Sequence, residues 1–320
     1  MNKNDCLRKT DEILSARRAK AKERLAAHEA EIAATVPQIG ILQKKLRAVT
    51  SEFFRAALED DFPEEKFRDI KSRSLDLQCQ IAEALHENGY APGYLDLQYI
   101  CPECEDTGFI GREMCKCYKK ALSEVYLENS HLKTVCKNQS FRNYDLTFFE
   151  GDDRERMKKL LNFCRKYAAG FSEKSPNLLF VGTPGCGKTY LSCAIGTEVI
   201  RNGWFVLYAP VQELIDTFEA AKFGRDDAAD TAVYTDCDLL IIDDLGTEMT
   251  TSFSESVLYN VVNTRLNLGK PMIISTNCTP EDMQGIYHDR LISRLVYDFV
   301  TLPFCNRDIR HEKKSRKAKK

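Results

Sequence analysis

Apolar side chains recur every seven residues along the first part of the chain. Leu7 and Leu14 open the series, Leu25, Ile32, Ile39, Leu46 and Phe53 continue it, and Leu42 and Val49 form a second row. The longer step from Leu14 to Leu25 resembles a stutter in a heptad repeat. Lys, Arg, Glu and Ala, all good helix formers, fill most of the positions between. The pattern predicts a long helix that breaks near Val36 and restarts with Pro37 in a first turn, where a missing N–H costs nothing. A second amphipathic helix is expected after Pro63, with Phe67, Ile70, Ser74, Leu77, Ile81 and Leu85 on one stripe and Asn88-Gly89 as its stop. Such stripes suit either a bundle packed on its own chain or a coiled-coil-like docking surface for another protein.

Further on, the period changes. Residues 154–167 read as a helix, and 119–138 as helix and linker. Short apolar runs at 178–181, 205–209, 239–242, 272–275 and 299–302 then alternate with helical or polar stretches. This alternation predicts an α/β fold, a parallel sheet with helices on both faces.

The first run feeds directly into Gly182-Thr183-Pro184-Gly185-Cys186-Gly187-Lys188-Thr189, and Tyr190 opens a segment of helical periodicity. Strand, glycine-rich loop and helix in that order are the context of a P-loop. The glycines let backbone N–H groups turn inward around phosphate oxygens, and the helix N-terminus adds partial positive charge. Lys188 then reaches the β/γ-phosphates and the Thr189 hydroxyl ligates Mg²⁺. The third run ends in Asp243-Asp244. An acidic pair closing a buried strand is costly unless it meets a cation. Asp243 is placed to hold Mg²⁺ through its water shell and Asp244 to polarise an attacking water, with Glu248 as the second candidate for that base. Asn277, at the end of the fourth run, is placed to orient the water or the γ-phosphate. Arg290 and Arg294 lie four apart on one helical face. They read either as a solvated basic face or as an arginine finger for a neighbouring subunit.

Composition narrows the class. With 320 residues, 43% apolar and 29% charged, the chain has room for one sizeable core and a smaller module. No run approaches the ~18 apolar residues that span a bilayer. The first residues lack the apolar centre of a signal peptide, so a cytoplasmic location is expected. A net charge of −2 offers no global attraction to nucleic acid, and any such contact must come from local patches.

Of thirteen cysteines, Cys79, Cys164, Cys193, Cys237 and Cys278 are scattered singly through the sequence, as free buried thiols are. Cys101-x-x-Cys104 and Cys115-x-Cys117 are clustered instead. Four thiolates around a short Gly-containing loop suit a structural, tetrahedral Zn²⁺, which would supply much of the local folding energy. The other account is two pairs of redox-active or free cysteines. His86 and His131 lie close enough in sequence to replace a Cys ligand.

GTPGCGKT (182–189), LLIIDDLGTE (239–248), IISTN (273–277) and DRLISRL (289–295) together resemble the motif set of the AAA+ ATPases. Within that class the chain resembles the DnaC/DnaI-type helicase loaders and the related IstB-type transposase helper ATPases, and YICPECEDTGFIG…CKC resembles the loader side. The resemblance implies a P-loop doubly wound sheet of order 5-1-4-3-2 behind a helical, zinc-binding N-terminal region. It implies ATP with Mg²⁺ as ligands: Lys188 on the phosphates, Thr189 and Asp243 on the metal, Asp244 as base and Asn277 as sensor. Arg294 is then the first finger candidate, Arg290 the second, and Arg310 a stand-in second sensor. The implied partners are a hexameric replicative helicase gripped by the N-terminal region, single-stranded DNA, and further copies of the chain through the AAA+ domain.

The domain plan expected is 1–98 helical, 99–120 zinc-binding, 121–139 linker, 140–310 ATPase and 311–320 basic tail. The aromatic segment 140–145 is expected to pack either on the adenine or on the domain edge. Phe218, Lys222, Phe223, Arg225 and Tyr234 form either a single-strand DNA surface or one packed helix face. A transposase helper is the alternative to a helicase loader within the same chemistry, and because Asp stands at 244 where Glu is usual, a non-hydrolysing, ATP-switched adaptor is another.

Overall fold

The computed structural model describes residues 2–56, 64–136, 139–224, 231–305 and 307–309. The chain divides into two compact units, one of Ile13–Cys115, the other of Met1–Glu12 with Lys116–Lys320. Arg225, Arg310 and the tail 311–320 lie outside the described residues.

The smaller unit is built from α1 (Lys3–Thr35), α2 (Pro37–Ala56) and α3 (Glu64–Glu87). The helix breaks at Val36 because Pro37 has no N–H to give, yet the Val36 N–H still donates to the Ile32 carbonyl at 2.8 Å. Ile32, Val36 and Ile39 bury against Ala84 and Leu85 of α3, with Ile81, Tyr90, Tyr94 and Leu95 packed around them. Tyr94 stacks on His28 at 3.9 Å and donates to Glu31 at 2.7 Å. The heptad row therefore closes on its own chain at its centre. Ile41, Phe54, Phe67 and Leu75 stay exposed. A hairpin of β1 (Phe109–Ile110) and β2 (Glu113–Met114) follows.

The larger unit continues with α4 (Lys116–Asn129), α5 (Leu132–Val135), α6 (Gly151–Ala169), β3 (Asn177–Val181), α7 (Lys188–Arg201), β4 (Val206–Pro210) and α8 (Val211–Lys222). Then come α9 (Val233–Asp236), β5 (Leu239–Leu245), α10 (Ser252–Asn267), β6 (Met272–Thr276), α11 (Pro280–Ile286), α12 (Asp289–Tyr297) and β7 (Phe299–Pro303). The five strands β3–β7 form one sheet of order β4-β5-β6-β3-β7, every pair parallel. Counted within this unit and read from the β7 edge, that is 5-1-4-3-2, as expected. The central strands are nearly continuous apolar runs because helices cover both faces. This order sets the carboxyl ends of β3, β6 and β5 side by side, where open α/β sheets bind ligands.

The structure revises the domain plan in three places. Of the expected linker 121–139, residues 121–129 belong to α4, which buries Tyr118, Ala121, Leu122, Val125 and Tyr126. Leu132 of α5 packs so closely on Gly196 of α7 that a Cβ there would lie 2.9 Å from it. The unit boundary falls at Cys115, inside the expected 99–120 segment, because the apolar face of α4 belongs to the larger core. The first twelve residues also belong to that unit. Cys6 and Thr10 are fully buried, and Lys3 pairs with Asp238 at 2.9 Å.

Cys193 is not a free thiol. It forms a disulfide with Cys136, 57 positions away, because the α5 segment is laid along α7. Cys79 is exposed and Cys278 only partly buried, whereas Cys164 and Cys237 are buried and free as expected. No described helix is long and apolar enough to cross a membrane.

Replacing Cys136→Ser reopens a long loop in the unfolded chain. Its expected cost is about 2–4 kcal/mol of stability relative to the oxidised wild type. Denaturant unfolding of the oxidised wild type, the reduced wild type and the variant checks this. The last two should coincide, below the first.

Candidate nucleotide site

The loop between β3 and α7 is shaped by two glycines in the left-handed region, Gly185 at φ 79° and Gly187 at φ 103°. A side chain at 185 would run into the Asp308 carboxylate, and the Ile309 N–H donates to the Gly185 carbonyl at 3.0 Å. Lys188 is buried, 4% exposed. Its ammonium donates to the carbonyls of Gly182 (2.5 Å) and Thr183 (3.0 Å) and to Oδ1 of Asn277 (2.6 Å). Asn277 reaches it because β6 pairs in register with β3, Val181 opposite Thr276. A buried ammonium needs oxygen partners, and these three supply them. Cys186 lies beneath the loop, fully buried. Burial pushes its thiol up against the opposing pull of Lys188.

The two aspartates at the end of β5 have different surroundings. Asp243 is 3% exposed. It accepts from the Tyr208 hydroxyl of β4 at 2.6 Å and from the Ser275 hydroxyl of β6. Burial, and then the Asp243 charge, hold the Tyr208 phenol far above its ordinary value, so it remains a donor. Asp244 is exposed, with φ at 59°, and its N–H donates to Ser275 Oγ at 3.0 Å. One carboxylate is thus fixed inside the sheet edge while the next faces the cavity. Glu248, the second base candidate, is buried and engaged elsewhere, accepting from the Gly246 N–H at 2.8 Å and from the Tyr287 hydroxyl.

A cavity of about 290 Å³ opens over the loop. Pro184, Gly185, Gly187, Lys188, Thr189, Tyr190, Asp244 and Asn277 line it, all drawn from the expected set. Gln139, Tyr144 and Ile309 complete it. Gln139 Oε1 and the Tyr144 hydroxyl are buried with no hydrogen-bond partner among the described residues. Two orphaned polar atoms beside a phosphate cradle fit the edge of a nucleotide base. The aromatic segment 140–145 pointed toward Tyr144. No motif marked Gln139, whose position depends on Ser140 pairing with Tyr190 through two hydrogen bonds, 3.3 and 3.0 Å.

The other expected residues are distributed as follows. Arg290 is exposed on α12. Arg294 is held within its own chain by Asp298 (3.3 Å) and Asn263 (3.1 Å). Tyr234 is buried against Phe218 and bonded to Thr217, so it offers no stacking face. Lys222, over the Phe253 ring at 4.5 Å, and Phe223 remain at the surface. The ligand atoms of Cys101, Cys104, Cys115 and Cys117 all lie within 4.8 Å of one another. Asp106 folds the first knuckle by accepting from the N–H groups of Ile100 (2.8 Å) and Cys101 (3.0 Å). A four-thiol set of this kind fits tetrahedral zinc. His131 pairs instead with Glu213 at 2.9 Å.

A P-loop, an acidic strand end and an asparagine on the next strand, set on a 5-1-4-3-2 parallel sheet, define an AAA+ type nucleotide-binding protein. The family model described as "IstB-like ATP binding protein" matches residues 111–317. The chain belongs to that ATP-binding family. It is 25% identical over 172 residues to the replicative helicase loader DnaC of Buchnera aphidicola subsp. Acyrthosiphon pisum, covering 53% of this chain and 68% of the relative. It is also 25% identical over 170 residues to DnaC of Escherichia coli, covering 52% and 66%. Among solved structures, the DnaC helicase loader crystal structure aligns with a TM-score of 0.47 at 20% identity, covering 52% of this chain and 97% of that one.

Gln139→Ala removes a buried acceptor from the cavity without touching the phosphate loop. ATP affinity, measured by titration calorimetry, is expected to fall about five- to tenfold, the worth of one neutral hydrogen bond. The melting temperature of the unliganded protein should not fall.

Proposed function

We propose that this chain is an ATP-hydrolysing AAA+ protein that loads or remodels a replicative DNA helicase on single-stranded DNA. The observation that carries the nucleotide part is the arrangement around Lys188: P-loop carbonyls, Asn277 and the cavity-facing Asp244 meet at one sheet edge. The DnaC loaders named above support the helicase part, and the N-terminal helices with exposed Phe54, Phe67 and Leu75 supply a surface for it.

ATP supplies the triphosphate and Mg²⁺ neutralises its charge when bound. Lys188 and the loop amides hold the phosphates, while Thr189 and Asp243 orient the metal. Asp244 takes the proton of the attacking water and Asn277 fixes the γ-phosphate end. Of the two arginines, Arg290 is the more exposed and so better placed to reach a neighbouring copy; Arg294 must first leave Asp298 and Asn263. The four cysteines 101, 104, 115 and 117 would hold a zinc ion in a structural role.

Turnover and capture are best measured together. Wild type should hydrolyse ATP, and Lys188→Ala should lose nearly all activity, with or without single-stranded DNA. A replicative helicase should co-purify with the full chain and fail to do so when the exposed Phe54, Phe67 and Leu75 are together replaced by Ser. Equal inertness of wild type and Lys188→Ala defeats the hydrolytic reading, and capture of a transposase in place of a helicase defeats the loader reading. Elemental analysis should find one zinc per chain, lost in Cys101→Ser together with a fall in the melting temperature of the N-terminal unit.

A further inference from the structure

Asp244 occupies a backbone conformation that side-chain-bearing residues rarely adopt, φ 59°. Such a residue persists only where its neighbours over-determine it. Here its N–H is taken by Ser275 Oγ at 3.0 Å and its carbonyl by the Thr247 hydroxyl at 2.8 Å. The turn continues through Gly246 at φ 97°, where any side chain would run into the Cys278 thiol.

The Leu245 carbonyl accepts from the Thr276 hydroxyl at 2.7 Å, and a further fixing point of this turn is Glu248. Its Oε2 accepts the Gly246 N–H at 2.8 Å and its Oε1 accepts the Tyr287 hydroxyl. Glu248 is 7% exposed and Tyr287 4%. Neither residue lines the cavity. Tyr287 caps α11, where its N–H donates to the Met283 carbonyl at 2.9 Å. The next residue, His288, is the N-cap of α12, the helix that carries Arg290 and Arg294.

From this geometry we infer that Glu248 and Tyr287 are a positioning pair that locks the Asp244 turn to the foot of α12, so that the two elements shift together. The inference rests on the proposed hydrolysis for its kinetic consequence, though the mechanical link stands apart from it. Glu248 is then no alternative base: both its oxygens face donors of its own chain, and Asp244 alone of the two carboxylates reaches the cavity. Burial, and then the Glu248 partner, hold the Tyr287 phenol far above its ordinary value, so the hydroxyl remains the donor.

Tyr287→Phe deletes only the hydroxyl. Glu248→Gln keeps one acceptor oxygen but turns an amide toward one of the two donors. In both variants kcat should fall about ten- to a hundredfold, the effect of a misplaced catalytic group. KM and ATP affinity should stay within about twofold, because binding does not use the pair. The double variant should be no slower than the worse single one, as expected of residues acting as a unit.

Amide hydrogen exchange gives the readout that does not depend on turnover. In wild type, Mg²⁺ and ATP should change protection at 244–248 and at 288–292 together. Tyr287→Phe should abolish the change at 288–292 while leaving that at 185–190. Failure of the nucleotide reading would appear as no ATP-dependent protection at 185–190 at all; in that event joint deprotection of 244–248 and 288–292 by Tyr287→Phe alone still decides the link. The inference is overturned if Tyr287→Phe leaves both kcat and exchange at 244–248 as in wild type. It is equally overturned if Glu248→Gln collapses turnover by the about 10²–10⁴-fold of a lost general base while Tyr287→Phe does not.

Discussion

A buried lysine ammonium shared between two adjacent strands is the constraint on which the site depends. Lys188 sits at the start of α7 with almost no access to water, so its charge must be met by oxygen atoms supplied by the protein or a ligand. Two of those oxygens belong to the loop it closes and the third to Asn277 beyond β6. The lysine therefore measures the alignment of β3 with β6. A slip of that pairing by one residue would turn the strand faces over and take Asn277 away from it. On the proposed reading, phosphate oxygens entering the cavity would compete with Asn277 for the same ammonium.

The acidic half of the site shows how one sheet edge gives two adjacent carboxylates different work. Asp243 ends the regular part of β5, so neighbours on both sides reach it, Tyr208 from β4 and Ser275 from β6. Its orientation is settled before any cation arrives. Asp244 follows a turn into the left-handed region, which rotates it out of the sheet and toward the cavity. Ser275 touches both, accepting from the Asp244 N–H while donating to Asp243. A hydroxyl at the end of β6 thus couples the two neighbouring aspartates.

Much of this was legible in the primary structure. Four of the strands begin and end within one residue of their expected places, and β5 runs three residues further to Leu245, because buried parallel strands are short, unbroken apolar runs bounded by glycines and polar residues. The Val36 break followed from the chemistry of Pro37 alone. Other features were hidden for physical reasons. The apolar face of α4 has the same periodicity whether it packs on the ATPase core or spans a gap, so 121–139 read as a linker. Cys136 and Cys193 lie in separate elements, and only the laying of α5 along α7 brings them together. For Tyr234 the sequence left a stacking surface and a packed helix face both open, and its burial against Phe218 decides for packing.

The sequence by itself determined the identity of the phosphate loop, the acidic strand end and the cysteine quartet, because each is a local pattern whose spacing is its chemistry. It also determined that the sheet is parallel, since apolar runs alternate with helices. Tertiary structure alone decided which atoms meet across strands: Asn277 with Lys188, Tyr208 and Ser275 with Asp243, Glu248 with Tyr287. It alone placed Gln139 and Tyr144 over the loop. These are relations between residues dozens of positions apart, fixed by strand order and register, and no local spacing encodes them.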